Sequence, residues 1–431
     1  MPARMDLAVV PRLRRSLRPE GTPDPLREQL AAHVEHSVLD WLDPERIEAL
    51  AEDMHVVKRK RVHHAGLVVC AFILSAFERS TDTEGRLLDA RLTYERLGGP
   101  ASGKTSFRNM AHKLLPVQRR LLRRCLRRLA ATLPTEEMRG RLSHFADVLI
   151  PDGCAFKVAR ALSGLYPGTG TAAELKLHAV YSVKASACIE VSTTAGSVHD
   201  SDGFWPTTWV KDGLYLWDLG YQSNKRFIDA SEAGAHVLQR LKGLSNPVVL
   251  ASYGSTGSCR PLLQQDGRPL RLNEACEFGN VHNQAVLDLD VEIAEGSRQV
   301  TARVVCVPHE DEDRYYLTTL PRDIFSAHDI AELYRVRWEV ELLFRTWKGA
   351  VRLDEVRRLS HPHSLELAIT SSLLAALLGG EIHAGLERLT RELAAALPAA
   401  ALPAAVFPPA AWARRAGAHT HPVRRQPATG A

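Results

Sequence analysis

Apolar positions recur at helical spacing through the first third of the chain and at strand spacing through its middle. Amphipathic stretches at Leu26–Leu42, Pro44–Met54, His64–Phe77 and Pro116–Leu133 predict helices, and the charged run Asp89–Leu97 reads as another. From about 141 to 245 short apolar runs take over. Val148–Ile150, Leu175–Val183, Cys188–Thr193, Leu214–Trp217 and His236–Leu241 predict strands, with a helix near Asn224–Ala233. Alternation at Val286–Ile293 and Val300–Val305, on either side of Glu295-Gly296-Ser297, predicts half-exposed antiparallel strands. One helix is expected over Tyr334–Lys348, followed by helices at Leu365–Leu378 and Glu381–Leu397.

These patterns make an α/β chain with a flexible N-terminus (1–24), a helical region (25–140), a first part of a strand-rich core (141–245), a β-rich insertion (246–320), a second, helical part of the core (321–397) and an Ala-, Pro- and Arg-rich flexible tail (398–431). The length of 431 residues allows two or three domains. The longest uncharged apolar stretches, Leu367–Gly380 and Ala65–Phe77, are too short to cross a bilayer, and Met1–Asp6 does not open a signal peptide. A cytoplasmic protein is expected, without a membrane partner. Seven cysteines, odd in number and lacking any CxxC pair, point to neither a zinc site nor a disulfide framework.

The net charge of +5 hides strong local segregation. From Ala101 to Arg128 there are nine Lys or Arg and no Asp or Glu. On a helix, Arg119, Arg120, Arg123, Arg124, Arg127 and Arg128 share one half, opposite Leu121, Leu122, Cys125, Leu126 and Leu129. Such a face suits phosphate, so Arg119, Arg123 and Arg127 are candidate contacts to double-stranded DNA, as is Lys104 in the preceding loop. The run Lys58-Arg59-Lys60-Arg61-Val62-His63-His64 adds to this charge. Gly98-Gly99-Pro100-Ala101-Ser102-Gly103-Lys104-Thr105 matches a phosphate-binding P-loop. A P-loop follows a buried strand, however, and here a charged helix precedes it, so no nucleotide cofactor is expected.

The densest chemistry lies in Tyr334-x2-Arg337-x3-Glu341-x6-Lys348. At about 100° per residue these four side chains fall within roughly 60° of one another, beside an apolar arc holding Leu333, Val336, Val340, Leu343, Phe344 and Trp347. Salt-bridging on a solvated helix accounts for such a stripe equally well. Upstream, Val148-Leu149-Ile150 is expected to end as a strand in Pro151-Asp152-Gly153, and Leu214–Trp217 in Asp218-Leu219-Gly220-Tyr221. Each aspartate alone reads as a turn residue.

Together, the spaced Tyr, Arg, Glu and Lys and the order Asp152, Asp218, Glu341 resemble the signature of the IS4-like insertion-sequence transposases, a branch of the DDE transposases. The resemblance implies an RNase H-like catalytic core, with Asp152, Asp218 and Glu341 as catalytic residues and metal ligands. It also implies contacts to the element's end by Tyr334, Arg337 and Lys348. The 123 positions separating Asp218 from Glu341 (341 − 218) resemble the β-rich insertion of that branch, and His199-Asp200-Ser201 resembles a recurrent feature of it, although helix capping explains Asp200 and Ser201 as simply. Asp288 and Asp290 belong to a polar strand face. One departure stands out: Cys154 occupies the position where the family carries Ser or Thr.

Three carboxylates suit hard divalent cations, Mg²⁺ first and Mn²⁺ second, and a pair of such ions about 3.5–4 Å apart can activate a nucleophile and stabilise a leaving oxygen. The implied activity is cleavage at the inverted-repeat ends of the element and joining of the 3′-hydroxyl to target DNA, by a homodimer at the nucleoid. A nuclease of the same core without strand transfer, and a silent DNA-binding repressor derived from a transposase, are the alternatives.

Overall fold

The computed structural model describes residues 24–57, 63–78, 83–131, 140–203, 208–241, 245–253, 259–260, 267–281, 286–307 and 313–396. The expected flexible ends, apart from Asp24, and Lys58–Val62 of the basic run lie outside them. Contacts divide the chain into two compact units, Met1–Cys125 with Leu342–Ala431, and Leu126–Glu341.

The first unit is helical. It contains α1 (Asp24–Trp41), α2 (Pro44–Asp53), α3 (Ala65–Ser75), α4 (Thr83–Arg96), α5 (Lys104–Lys113) and most of α6 (Leu115–Ala130). Asp43 starts α2 by accepting from the Glu45 and Arg46 amides at 2.9 and 3.2 Å, ahead of Pro44 in the first turn. Helix α3 buries every residue from Ala65 to Leu74, so it reads as apolar all round. Gly66 permits its close approach to α2: a Cβ there would lie 1.9 Å from the Pro44 carbonyl oxygen.

The α4–α5 connection settles the P-loop match. Gly98 takes φ +92° just past α4 and Gly103 caps α5, making a helix-to-helix turn with no strand before it. A single helix, labelled α11 below (Pro362–Ala396), replaces the two expected beyond residue 365, because Gly379, Gly380 and Glu381 do not interrupt it. It packs on α1, α3 and α5, and Ser371 donates to Gln118 of α6 at 3.2 Å in the buried interior. Contrary to the sequence expectation, Pro362–Leu386 is long and apolar enough to cross a bilayer; 67 % of its most apolar window is buried within the fold, as in a core helix.

The second unit is built on one ten-stranded sheet in the order β3-β2-β1-β4-β5-β10-β9-β8-β6-β7. Its strands are β1 (Val148–Lys157), β2 (Glu174–Ser182), β3 (Ala187–Ala195), β4 (Leu214–Trp217), β5 (His236–Arg240), β6 (Val248–Tyr253), β7 (Cys259–Arg260), β8 (Leu287–Glu295), β9 (Arg298–Val307) and β10 (Arg314–Thr318). The β1–β4 and β4–β5 pairs are parallel and the others antiparallel. All four residues of β4 are buried, as a continuous apolar run in a central parallel position requires. Helix α7 (Asn224–Glu232) connects β4 to β5 and buries Phe227, Ile228 and Ala230, and α8 (Leu272–Val281) lies between β7 and β8.

The expected alternation appears in β8, where Leu287, Leu289, Val291 and Ile293 are buried. Gly296, with φ +60°, opens the two-residue turn into β9. Asp288 and Asp290 lie on the other face of β8 and are held by arginines: Arg303 donates to Asp288 at 2.6 and 2.8 Å, and Arg322 to Asp290 at 2.7 Å. Helix α9 (Ala327–Arg335) begins with a capping box between Ser326 and Asp329, and Asp329 also pairs with Arg141. Helix α10 (Trp338–Val351) follows.

Candidate active site

Strand register brings the first two carboxylates together. In the parallel pair, Val148 lies opposite Leu214 and Leu149 opposite Tyr215. The same strand direction carries Asp152 of β1 and Asp218, just past the end of β4, towards the same end of the pair, close enough for the Asp218 charge to act on Asp152. The expected end of the first strand needs correction: β1 runs on to Lys157, and Asp152 lies in its middle, opposite Ala179 of β2. What ends near Asp152 is the parallel partner. Beyond Trp217 the chain leaves the strand in a short 3₁₀ segment, Leu219–Tyr221. Asp218 occupies the cap position of this turn but makes no side-chain capping bond, so turn capping does not explain its carboxylate.

Glu341 reaches the pair through Arg337. The guanidinium donates to Glu341 at 2.6 Å and lies 3.6 Å from the Asp152 carboxylate, with its side chain 14 % exposed. The expected single helix over Tyr334–Lys348 is in fact two. Val336 and Arg337 form a turn between α9 and α10, held by Arg337 N–H to the Tyr334 carbonyl at 3.0 Å and Glu339 N–H to Val336 at 3.1 Å. Tyr334 is buried rather than presented on an open stripe: its hydroxyl donates to the Trp217 carbonyl at 3.1 Å and its ring packs 5.2 Å from Tyr316. Lys348 lies partly exposed near the far end of α10.

Electrostatics follow from this crowding. Burial raises the Asp152 carboxyl to about 6, reinforced by Asp218 and Glu341 and opposed by the Gly153 amide and Arg337. Burial works against the Arg337 charge, but its bond to Glu341 and the fields of Tyr334, Asp218 and Asp152 outweigh that and hold it cationic. Three carboxylates around one guanidinium leave an excess of negative charge. That all-oxygen donor set fits a hard divalent cation, for which Asp152, Asp218 and Glu341 could serve as ligands.

A second layer escaped the sequence reading. Asp200 is the first residue within a single helical turn, Asp200–Gly203, and its carboxylate forms a 3.0 Å ion pair with Lys176 of β2. A Cβ on Gly153 would lie 3.3 Å from each of Asp200 Oδ1, His178 Nδ1 and the Tyr221 hydroxyl, so the glycine beside Asp152 admits all three. Burial lowers His178 to about 4, with Asp200 opposing, so the ring is neutral; its Nε2 lies 2.8 Å from Thr194 Oγ1. Burial, with Asp152, Asp200 and Asp218, drives the Tyr221 hydroxyl well above the ordinary phenol range. The paired appearance of His199-Asp200 and Asp218-Leu219-Gly220-Tyr221 was the available signal. Cys154, two positions beyond Asp152 on β1, is buried.

The basic candidates lie on the other elements. Helix α6 buries Leu121, Leu122, Cys125, Leu126 and Leu129 and exposes Arg119, Arg120, Arg123, Arg124, Arg127 and Arg128, as its pattern predicts. Arg119 is paired with Glu366 of α11. Lys104 is exposed in the first turn of α5.

Comparison with known proteins identifies the family. Residues 143–378 match the model of the transposase DDE domain. The chain is 23 % identical over 367 residues to the transposase for insertion sequence element IS231F of Bacillus thuringiensis subsp. israelensis, covering 77 % of this chain and 76 % of that protein. It is 22 % identical over 370 residues to the IS231B transposase of Bacillus thuringiensis subsp. berliner, covering 78 % and 76 %. A 66-residue stretch is 41 % identical to the IS421 transposase of Escherichia coli, covering 15 % of this chain and 18 % of that one. The chain belongs to the DDE transposases, in the IS4-like group that serves insertion sequences.

Proposed function

We propose that this transposase cuts DNA at the inverted-repeat ends of its element and joins the 3′-hydroxyl ends to target DNA, with Asp152, Asp218 and Glu341 as its catalytic carboxylates. The observation that carries the reading is the convergence of the three acids, two by strand register and the third through Arg337. The strand order β3-β2-β1-β4-β5, with β1, β4 and β5 parallel, supports an RNase H-like core, and β6 to β10 correspond to the insertion before the glutamate helix.

Mg²⁺ or Mn²⁺, when bound, supplies Lewis-acid activation of a water or 3′-hydroxyl and stabilises the departing oxygen. Asp152, Asp218 and Glu341 would hold the cation, since all three carboxylates act on one another's charge beside Arg337. Arg337 holds Asp152 and Glu341 in place, and its guanidinium is the group best placed to take a terminal phosphate. Tyr334 ties the end of α9, just ahead of the glutamate helix, to the strand end preceding Asp218, which supports a positioning role more directly than a base contact. Lys348, Lys104 and the exposed arginines of α6 bind the DNA backbone.

Strand transfer is tested with purified protein on DNA carrying the element's inverted repeats, with and without Mg²⁺. Joined products that require Mg²⁺ and disappear in Glu341→Gln are expected. Nicks without joined products would leave a nuclease, and specific binding without cleavage by the wild type would leave a silent binding protein.

A further inference from the structure

We infer that His112, His361 and His363 form a binding site for a transition-metal ion of the zinc class, separate from the carboxylates. One ring nitrogen from each comes within 4.8 Å of the others, all inside the first unit. His112 lies in the last turn of α5 and is half-buried, while His361 and His363 flank the first residue of α11 and are exposed. The His112 and His361 rings stack at 5.1 Å, and His363 meets His112 edge-on at 5.7 Å.

Zinc–nitrogen bonds of about 2.0–2.1 Å in a tetrahedral site place ligand atoms about 3.3 Å apart. His361 and His363 are exposed, so their rings are free of the close packing that would oppose that closure. Three imidazoles with no carboxylate among them favour Zn²⁺, Co²⁺, Ni²⁺ or Cu²⁺ over Mg²⁺. His112 Nε2 lies 3.0 Å from Ser364 Oγ. A hydrogen bond from one ring nitrogen to a hydroxyl fixes the tautomer and leaves the other nitrogen free to ligate, the outer-shell arrangement that metal-binding histidines use. Three ligands leave a fourth position for water. The ion joins residues 249 positions apart (361 − 112), so it stabilises the helical unit by an amount that grows with the logarithm of free metal over its dissociation constant. The expectation that no zinc site is present rested on cysteine spacing, which carries no information about histidines this far apart.

Co²⁺ titration of the full chain in excess Mg²⁺ tests the site. One equivalent should bind with the visible absorption of low-coordinate, imidazole-ligated Co²⁺, and Zn²⁺ should displace it. His361→Gln and His363→Gln should each weaken binding by at least about tenfold, since losing a ligand costs no less than losing an outer-shell partner. Both residues are exposed, so both variants should melt with the wild type in EDTA but lose the Zn²⁺-induced rise in Tm. Absence of the Co²⁺ signal, its persistence in both variants, an equal Zn²⁺ shift in them, or its loss in Asp152→Asn instead would overturn the assignment.

Discussion

Asp152 gives up the most in being placed where it is, because its carboxylate is mostly buried beside two others. Its carboxyl is raised from 3.8 to about 6, so between these values the folded protein holds a proton that the unfolded chain has released. This contribution to stability is complete below pH 3.8 and is lost as pH rises through 6, a change on the order of 2–3 kcal/mol. Asp152→Asn should remove that decline: in EDTA its Tm should exceed the wild-type value above pH 6, with the difference vanishing near pH 4. Parallel Tm-against-pH curves would contradict it. Arg337→Ala should act oppositely at pH 7, lowering stability by about 1–3 kcal/mol by leaving like charges together, and added Mg²⁺ should restore part of the loss. Equal melting deficits with and without Mg²⁺ would separate the arginine from the cation site. At this scale the sequence displayed Asp152, Asp218 and Glu341 because each sits beside a short apolar run or in a spaced polar stripe, even though Asp152 proves to lie within β1 and the stripe spans two helices. It did not display the partners of Asp200, since Lys176, His178 and Tyr221 meet it only through the β1–β2 pairing and the turn after β4.

Among the elements, α6 was the most legible, because one side of the helix is leucine and cysteine and the other arginine. The structure adds a distinction within that basic face: Arg119 is paired with Glu366, whereas Arg123 and Arg127 point outward. Arg123→Ala and Arg127→Ala should each reduce the slope of log affinity against log salt for end DNA by about one, and Arg119→Ala should change it less. Fluorescence anisotropy over a salt series measures this; equal slopes for all three variants would count against α6 as the phosphate-binding face. Two boundaries were misread for physical reasons. Strand β1 extends past Asp152 because β2 continues to pair with it after β4 has stopped, and helix periodicity cannot register the Val336–Arg337 turn, which carries no Gly or Pro. Gly66 shows a third kind of hidden constraint, since only its contact with Pro44 makes it necessary. Gly66→Ala should destabilise the helical unit by about 1–3 kcal/mol or more, measured by denaturant unfolding, and a neutral result would mean α2 can shift away.

For the molecule as a whole, sequence order was a poor guide to which parts fold together. The helical unit takes residues from both ends of the chain, so Gln118 meets Ser371 across 253 positions, a contact no local pattern encodes. The chemistry makes a further demand at this scale. On the proposed mechanism, one set of three carboxylates would serve one DNA end at a time, while an insertion sequence has two ends that must join one target together. Two copies acting on paired ends satisfy that demand. Mixed with end DNA in Ca²⁺, which occupies oxygen sites while holding back cleavage, the 47.7 kDa chain should form a complex containing two protein copies and two ends, resolved by light scattering coupled to size exclusion. The Glu341→Gln variant should assemble equally well, because the proposal assigns pairing to the basic face and joining to the carboxylates. A one-to-one complex that still joined both ends on exchange into Mg²⁺ would show that a single copy handles the ends in succession.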